Sequence, residues 1–385
     1  MEMILGELFS LVRNGANIKQ YDDASGFPIT RIQTISSGFV DRSKVGYANI
    51  DDATRYSSYI LQDGDILMSH INSLDHLGKA ALYQHAEGET LIHGMNLLVL
   101  RADTSSLIPK YALRLFQSNK FKASLRKIAK KSVNQASFSV SDLKRLRINV
   151  PSLDSQTYVA NLFDTIDCII TRAQKLTELL DRLVKSRFDE MLDYYGQQNA
   201  TCLEGLTKRV KVGFVGSVGR YYTDDCGVPM VRTANITPCG LDLSDMKYVT
   251  REFDSMNPKS RLRSGDVVIA RHGENGRACI YTGPLAQCLN VVIIEPDNTL
   301  LLSICLEHLM NSDYARKQIA RKLVGTTQKV VNTSTIAALN APLIPMEQQE
   351  KFADFATEIN KLRFDDIVVL RLYLKRYRDK YMFYT

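Results

Sequence analysis

At 385 residues and 45% apolar composition, the chain is long enough for roughly two or three domains with cores of their own. Its net charge of +7 suits a polyanionic partner, and no apolar run is long enough to span a bilayer. Residues 1–8 lack the features of a secretory signal, so we expect a cytoplasmic protein with no membrane contact. The seven cysteines stand singly, which argues against a disulfide framework or a metal site.

The chain contains an internal repeat. The matches keep their order along the chain, and their spacing drifts only by loop-sized amounts, whereas chance matches would scatter. The clearest pairs are residues 26–31 with 227–232, 61–65 with 262–266, 78–83 with 276–281, and Gln156 with Gln349. The sequence therefore predicts a tandem duplication of one structural unit.

Each copy begins with a mixed pattern of strands and helices. Residues 65–69 and 97–101 are apolar and bounded by Gly, Asp or Asn, which predicts strands, and 267–271 and 291–295 match them. Residues 111–130 and 303–323 are amphipathic and rich in helix-forming residues. The predicted fold class is α+β, with one helix flanking a mixed sheet in each copy.

A heptad pattern follows each globule and predicts two long helices that pair as an antiparallel coiled coil. Pro151 and Pro345 mark their starts, and the first helix, residues 153–192, would be about 60 Å long at ~1.5 Å per residue. The predicted helix–helix contacts are Leu162, Ile166, Ile169, Leu176, Leu180 and Leu183 with Phe355, Ile359, Leu362, Val369 and Tyr373.

This pairing predicts a pseudo-two-fold symmetric molecule with four segments. Residues 1–150 and 196–344 form the two globules, and residues 151–195 and 345–385 form the two spacer helices. Two similar heads on a rigid rod are suited to reading two separated half-sites on duplex DNA. A structural spacer or a scaffold that joins other proteins explains the same architecture.

The distribution of charge favours DNA. Basic clusters recur at the same place in both copies and lead into polar loops, and a second polar loop follows the strand after each Gly-Asp pair. Lys and Arg can neutralise phosphates, whereas Gln, Asn and Arg can read base edges. The candidate DNA contacts are Arg31, Gln33, His70, Asn72, Lys79, Lys127, Lys130, Lys131, Asn134 and Gln135 in copy one, and Arg220, Tyr221, Arg232, Arg271, His272, Asn275, Arg277, Arg321, Lys322, Thr327, Gln328 and Lys329 in copy two.

Motifs for catalysis by this chain are missing from the sequence. There is no Walker-type glycine loop, no dinucleotide-binding motif and no amino-methyltransferase tetrapeptide. Asp65 and Asp266 recur, but each follows Gly at a strand entrance, where a turn role is expected. We therefore expect a recognition protein that is not an enzyme and that holds no cofactor or metal.

These features resemble the specificity subunit of type I restriction-modification systems. The resemblance rests on the Gly-x-Pro segments before Arg31 and Arg232, the repeated Leu-x-x-Gly-Asp strand starts, and the run 325–328 with the glutamines that follow it. Copy one departs from the last pattern, because Ser132 stands where copy two has Gly325.

The resemblance implies two target recognition domains that read a bipartite site on double-stranded DNA, with the helices setting the spacing between its halves. It also implies two methyltransferase subunits that use S-adenosylmethionine, and restriction subunits that use ATP and Mg. Two alternatives remain: a non-catalytic protein scaffold, and the recognition part of a fused restriction-methylation enzyme.

Overall fold

The computed structural model describes residues 1–385 except 24, 133–134, 225, 238–239, 272–276, 324–329 and 366–385. These residues form two compact units, 1–173 (unit 1) and 174–365 (unit 2). The longest helix, α4 (Leu153–Gly196), begins in unit 1 and ends in unit 2.

Unit 1 is built on a four-stranded antiparallel sheet in the order β2-β8-β5-β7. Its strands are β1 Glu2–Ile4, β2 Phe9–Asn14, β3 Pro28–Ile29, β4 Gly46–Tyr47, β5 Ile66–Ser69, β6 Ile71–Asn72, β7 Ala80–Leu82, β8 Leu97–Ala102, β9 Lys130–Lys131, β10 Ala136–Ser137 and β11 Arg147–Asn149. Its helices are α1 Pro109–Gln117, α2 Asn119–Ile128, α3 Val140–Lys144 and the first part of α4 Leu153–Gly196.

Unit 2 repeats this frame, with the sheet order β13-β23-β20-β21. Its strands are β12 Ala200–Cys202, β13 Thr207–Val212, β14 Tyr222–Thr223, β15 Val228–Arg232, β16 Ile236–Thr237, β17 Gly240–Leu241, β18 Lys247–Val249, β19 Arg261–Leu262, β20 Val267–Ala270, β21 Ala278–Ile280, β22 Ala286–Leu289, β23 Val291–Pro296 and β24 Asn340–Pro342. Its helices are α5 Arg251–Met256, α6 Ser303–Asn311, α7 Asp313–Leu323, α8 Thr333–Ala337 and α9 Met346–Asp365.

The two inner strands of each central sheet are covered on both faces, which explains why they are mostly apolar. In unit 1, Ile66 and Leu100 pack into the core beneath α1 and α2, whereas Leu67 and Val99 pack into a second core on the other face. Unit 2 divides the residues of β20 and β23 between two cores in the same alternating way. The side chains of a strand alternate between faces, so a strand that is covered on both faces has few positions for polar residues.

The repeated Leu-x-x-Gly-Asp segment is a turn, as the sequence predicts. Gly64 and Gly265 have φ angles of 85° and 93°, a region that glycine enters without strain. The carboxylate of Asp65 accepts a hydrogen bond from the Gln62 amide at 2.8 Å, and Asp266 accepts one from the Arg263 amide at 2.8 Å.

The predicted helix after each sheet is interrupted in both copies. Ser118 separates α1 from α2 with an extended ψ of 148°, and its hydroxyl accepts a hydrogen bond from the Phe121 amide at 3.1 Å. Ser312 separates α6 from α7 with a ψ of 156°, and its hydroxyl accepts from the Ala315 amide at 3.3 Å. A serine cap starts a new helix at each of these points, so one continuous helix was the wrong prediction.

A buried glutamine joins each long helix to its unit. The Gln156 carboxamide accepts a hydrogen bond from the Ile108 amide at 2.8 Å and donates to the carbonyls of Ser106 and Pro151 at 2.9 and 3.0 Å. Gln349 makes the matching bonds to Leu302, Leu300 and Ile344 at 2.9, 2.8 and 2.8 Å. Both side chains are almost fully buried, so every polar atom of each carboxamide is used without water.

The long helices also carry an apolar stripe that packs on the units, which the heptad prediction missed. Phe163 and Phe188 are buried in the cores of units 1 and 2, and Phe188 lies 4.8 Å from Phe352 between ring centroids. Among the predicted seam residues, Ile166 is buried, Leu162, Ile169, Leu180, Phe355 and Ile359 are partly buried, and Leu176, Leu183 and Leu362 are about half exposed. In the part of α4 that belongs to unit 2, the buried residue is Val184 and not the predicted Leu183.

The antiparallel pairing and the four-segment division remain predictions. Val369 and Tyr373 lie outside the described residues, so the contacts expected for Leu176, Leu183 and Leu362 are not tested. The division into compact units cuts α4 at residues 173–174 rather than at the predicted segment ends.

We predict that Gln156→Met destabilises unit 1 by about 3 kcal/mol, because buried backbone groups at Ile108, Ser106 and Pro151 lose their hydrogen-bond partner. Urea denaturation followed by circular dichroism measures the change. Gln174→Met, at an exposed position of the same helix, is the matched control. Equal unfolding midpoints for the two variants would contradict the role assigned to Gln156.

Glu307 on α6 should make the folding stability of the chain depend on pH. Burial raises the pKa of its carboxyl to about 7, although the Ile280 amide donates a hydrogen bond to it at 3.2 Å. An unfolded glutamate ionises near pH 4.5, so the folded chain binds the extra proton between about pH 4.5 and 7 and loses stability as pH rises across that interval.

Glu307→Gln should therefore gain stability relative to the parent as pH rises through this interval, by at most about 1.4 kcal/mol per pH unit. Thermal unfolding at several pH values measures this difference, with the exposed Glu358→Gln as control. A constant difference between Glu307→Gln and the parent across the interval would refute the prediction.

Candidate nucleic-acid interface

A small sheet in unit 1 brings together candidate residues that are far apart in the sequence. Strands β6, β10 and β9 pair antiparallel in that order, with Ala136 opposite both Asn72 and Lys131. Lys130 and Lys131 are exposed on the outer strand. The sheet therefore places the loop after β5 beside the basic segment that follows α2.

Strands β9 and β10 form a β-hairpin whose end carries Gln135. Ser132 closes the hairpin with hydrogen bonds from its amide and hydroxyl to the Gln135 carbonyl, at 2.7 and 3.0 Å. The hairpin is fastened at its base, where the Phe138 amide donates to the His70 carbonyl at 3.2 Å and the Phe138 ring is buried. Lys127 lies nearby in sequence on α2 and is exposed.

The second group of candidates surrounds a recess next to this sheet. Gln33, Asn72 and Lys79 all line a cavity of about 230 Å³. Gln33 comes from the loop after β3, so three separate chain segments meet there. The sequence predicted Gln33 as a candidate but did not place it beside Asn72 and Lys79. Ile32 and Ile35 form the apolar wall of this recess. They were missed because apolar side chains give no sequence signal for a DNA contact.

The candidate DNA contact His70 is buried within unit 1. Its side chain is buried, and it lies 6.4 Å from the Phe138 ring between centroids. Burial lowers the pKa of its imidazole, so the ring is kept neutral. A DNA contact by the His70 side chain stays an untested prediction, and the His70 backbone carbonyl holds the hairpin.

Arg31 and Arg232 are engaged within their own units. Arg31 binds the Asp22 carboxylate at 2.5 Å and the Gln20 carboxamide at 3.1 Å, and it also donates to the Tyr21 carbonyl. Arg232 donates to the carbonyl and carboxylate of Asp245 at 2.6 and 2.9 Å. Both arginines therefore hold loops in place, and a direct DNA contact by either guanidinium stays an untested prediction.

In unit 2, the described candidates form a second and different set. Arg220 lies over the Tyr221 ring, 4.6 Å from its centroid, and Tyr221 packs against Phe253 at 5.1 Å. The Arg271 side chain donates to the Val331 carbonyl at 3.2 Å, and the Val331 amide donates to the Arg271 carbonyl at 3.3 Å. This second bond is the counterpart of the one between Phe138 and His70, so the frame repeats while the side chains differ.

The remaining candidates are partly accessible. Arg277 is partly buried beside β21, and Arg321 and Lys322 are exposed on α7, with the Lys322 ammonium donating to the Ala338 carbonyl at 2.9 Å. The candidates Asn134, His272, Asn275, Thr327, Gln328 and Lys329 lie outside the described residues.

The described residues form neither a metal site nor a membrane-spanning helix. They contain no group of three or more His, Cys, Asp or Glu side chains arranged to hold a metal ion. No helix within those ranges combines the length and the apolar content needed to cross a membrane.

The chain is similar to proteins of type I restriction-modification systems. Residues 1–181 match the type I restriction modification DNA specificity domain. A putative type I restriction enzyme MjaX specificity subunit from Methanocaldococcus jannaschii is 39% identical over 187 residues, which cover 49% of this chain and 44% of that protein. The type I restriction enzyme EcoKI specificity subunit from Escherichia coli is 25% identical over 237 residues, covering 57% of this chain and 49% of that protein.

These matches thus span about half the length of the two relatives. Solved structures extend the likeness of fold to the whole chain. A type I restriction-modification S subunit from M. genitalium aligns over 99% of this chain and 95% of its own, with a TM-score of 0.58 and 13% identity. A chain from a study of type I R-M complex assembly and conformational transition aligns over 99% and 96%, with a TM-score of 0.55 and 15% identity. Residues 1–181 are thus similar to the DNA specificity domain of type I restriction-modification systems, and the whole chain shares its fold with the two solved structures.

Proposed function

We propose that this chain is the DNA-specificity subunit of a type I restriction-modification complex and that its two units read the two halves of a bipartite site. One observation carries the proposal: both units repeat the same sheet order and the same buried glutamine, whereas their exposed polar residues differ. Two copies of one frame with different surfaces are suited to the same task on different sequences.

The hairpin of unit 1 supplies the contact surface. A two-stranded β-ribbon fits the major groove of B-DNA, where each base pair presents a distinct pattern of donors and acceptors. The exposed ammonium groups of Lys130 and Lys131 neutralise phosphates along the groove, and Gln135 at the hairpin end reaches base edges. In unit 2 the exposed Arg220, Arg321 and Lys322 supply the corresponding charge.

The chemistry of restriction and modification belongs to partner subunits. Two methyltransferase subunits would bring S-adenosylmethionine, and restriction subunits would bring ATP and Mg. The chain itself contributes binding and positioning and acts without catalysis. The chain would act in the cytoplasm, where the DNA that it reads is located.

A protein scaffold and the recognition part of a fused enzyme are the competing functions. A scaffold that binds only proteins shows no salt-dependent binding to duplex DNA, because it makes no phosphate contacts. A fused enzyme carries the methyltransferase on the same chain, so its gene has no separate methyltransferase neighbour. The repeated fold with two different polar surfaces favours DNA reading over a scaffold.

We predict that Lys130→Ala together with Lys131→Ala weakens DNA binding and reduces the slope of log K against log salt by about 1.8, at about 0.9 per lost phosphate contact. Fluorescence anisotropy with a duplex carrying the target site, in the presence of the methyltransferase partner, gives both values. The control pair Lys110→Ala and Lys175→Ala removes two exposed lysines from helices outside the hairpin. A slope that falls equally in both pairs would argue against phosphate contacts by the hairpin.

Exchange of residues 1–150 for the equivalent unit of another family member should change one half-site and leave the other half and its spacing intact. The reason is that each unit has its own cores and its own contact surface. Methylome sequencing of cells that carry the hybrid gene reads both halves at once. Alteration of both halves, or of neither, would be incompatible with one unit per half-site.

A further inference from the structure

The recess of unit 1 has an apolar wall, which is unusual for a surface that contacts DNA. Ile32 and Ile35 line it from the loop after β3. Ile35 is 1% exposed and belongs to the core beneath the sheet, and Ile32 is partly buried against the same core. The wall is therefore held rigidly by the packing of the unit.

The rim of the recess carries polar groups, two of which are free to bind a ligand. Among the described contacts, the Gln33 carboxamide and the His76 imidazole have no hydrogen-bond partner. The Asn72 carboxamide donates to the Ser69 hydroxyl at 3.2 Å and accepts from the Ser73 amide at 2.8 Å. The Lys79 ammonium donates to the Ser36 carbonyl. Only part of the rim is thus satisfied within the chain.

The recess lies next to the basic hairpin. Asn72 on its rim is opposite Ala136, and Ala136 is opposite Lys131, so the rim is two strand spacings, about 10 Å, from the outer strand. The fitting ligand has an apolar group beside hydrogen-bonding edges and is attached to a polyanion. A thymine in the major groove has these properties, because its 5-methyl group projects beside the O4 acceptor and next to the N6 and N7 atoms of adenine.

We propose that this recess takes the 5-methyl group of a thymine in the half-site read by unit 1, with Ile32 as the contact and Gln33 as the reader of the adjacent base edge. The inference rests on the proposed function and adds the kind of base pair that is read. Cytosine is disfavoured at this position, because it has no 5-methyl group to pack against the apolar wall.

In the described part of unit 2, different residues occupy the positions of Ile32 and Gln33. Thr233 and Ala234 stand where unit 1 has Ile32 and Gln33, and the Thr233 hydroxyl donates to the Asn290 carbonyl at 2.8 Å. The methyl contact is therefore particular to the half-site of unit 1. This is consistent with two units that read different sequences.

The test replaces each thymine of that half-site by uracil, one at a time, which removes a single methyl group from the DNA and needs no change in the protein. Methylome sequencing first defines the site, and the affinity of the complex with its methyltransferase partner is then measured on each duplex. We expect one replacement to weaken binding about fourfold, the effect of losing one buried methyl contact.

A protein variant then assigns the contact to the recess. In Ile32→Ala the thymine and uracil duplexes should bind equally at that position. Leu11→Ala, which is partly buried in the same core but does not line the recess, should keep the fourfold difference. Thermal unfolding of both variants verifies that they are folded.

The possible failures are distinct. Sequence-specific binding with no thymine in the half-site, or with no effect of any uracil, overturns the methyl contact and leaves the proposed function intact. A uracil effect that persists in Ile32→Ala overturns the assignment to the recess. Absence of sequence-specific binding overturns the proposed function and this inference with it.

Discussion

The buried glutamine at the start of each long helix is the constraint on which the rest of the structure depends. Its carboxamide satisfies backbone groups from the segment before the first flanking helix and from the segment before the long helix itself. In a site closed to water, a misplaced helix would leave these groups without partners, at a cost of about 1–3 kcal/mol each. The start of the 44-residue helix α4 is therefore fixed to unit 1 by hydrogen bonds as well as by apolar packing.

The two copies share the hydrogen bonds that hold their backbone in place. Asp65 and Asp266 both accept the amide hydrogen bond of their turn, but Asp65 also binds Arg101 through two bonds of 2.7 and 2.8 Å. In unit 2, Glu295 occupies the place of Arg101 and pairs with Arg209. Burial raises the pKa of Asp266, whose charge has lost its direct partner. Ion pairs have thus changed between the copies while the turn has not.

Much of the fold could be predicted from the sequence, because each weak strand or helix pattern occurs in both copies. The strands, the turn role of Asp65 and the long helix followed from composition and spacing. The interruptions at Ser118 and Ser312 did not, since an amphipathic stripe continues across a serine cap. The stripe that buries Phe163 and Phe188 was missed because the heptad pattern assumes one packing partner, whereas each helix also packs on a unit. For the candidate site, sequence order located the polar loops but could not show that Arg31 would bind Asp22 or that His70 would be buried.

The candidate DNA contacts are separate from the core of their unit, except at the recess of unit 1. This exception affects how specificity can change. Lys130, Lys131 and Gln135 are exposed on a hairpin, so replacing them costs little stability, within about 0.5 kcal/mol at ordinary surface positions. Ile35 forms part of both the recess and the core, so a change of the recess wall alters the packing of the unit. Under the proposed function, polar and phosphate contacts can therefore vary freely, whereas a change in an apolar base contact requires compensation inside the core.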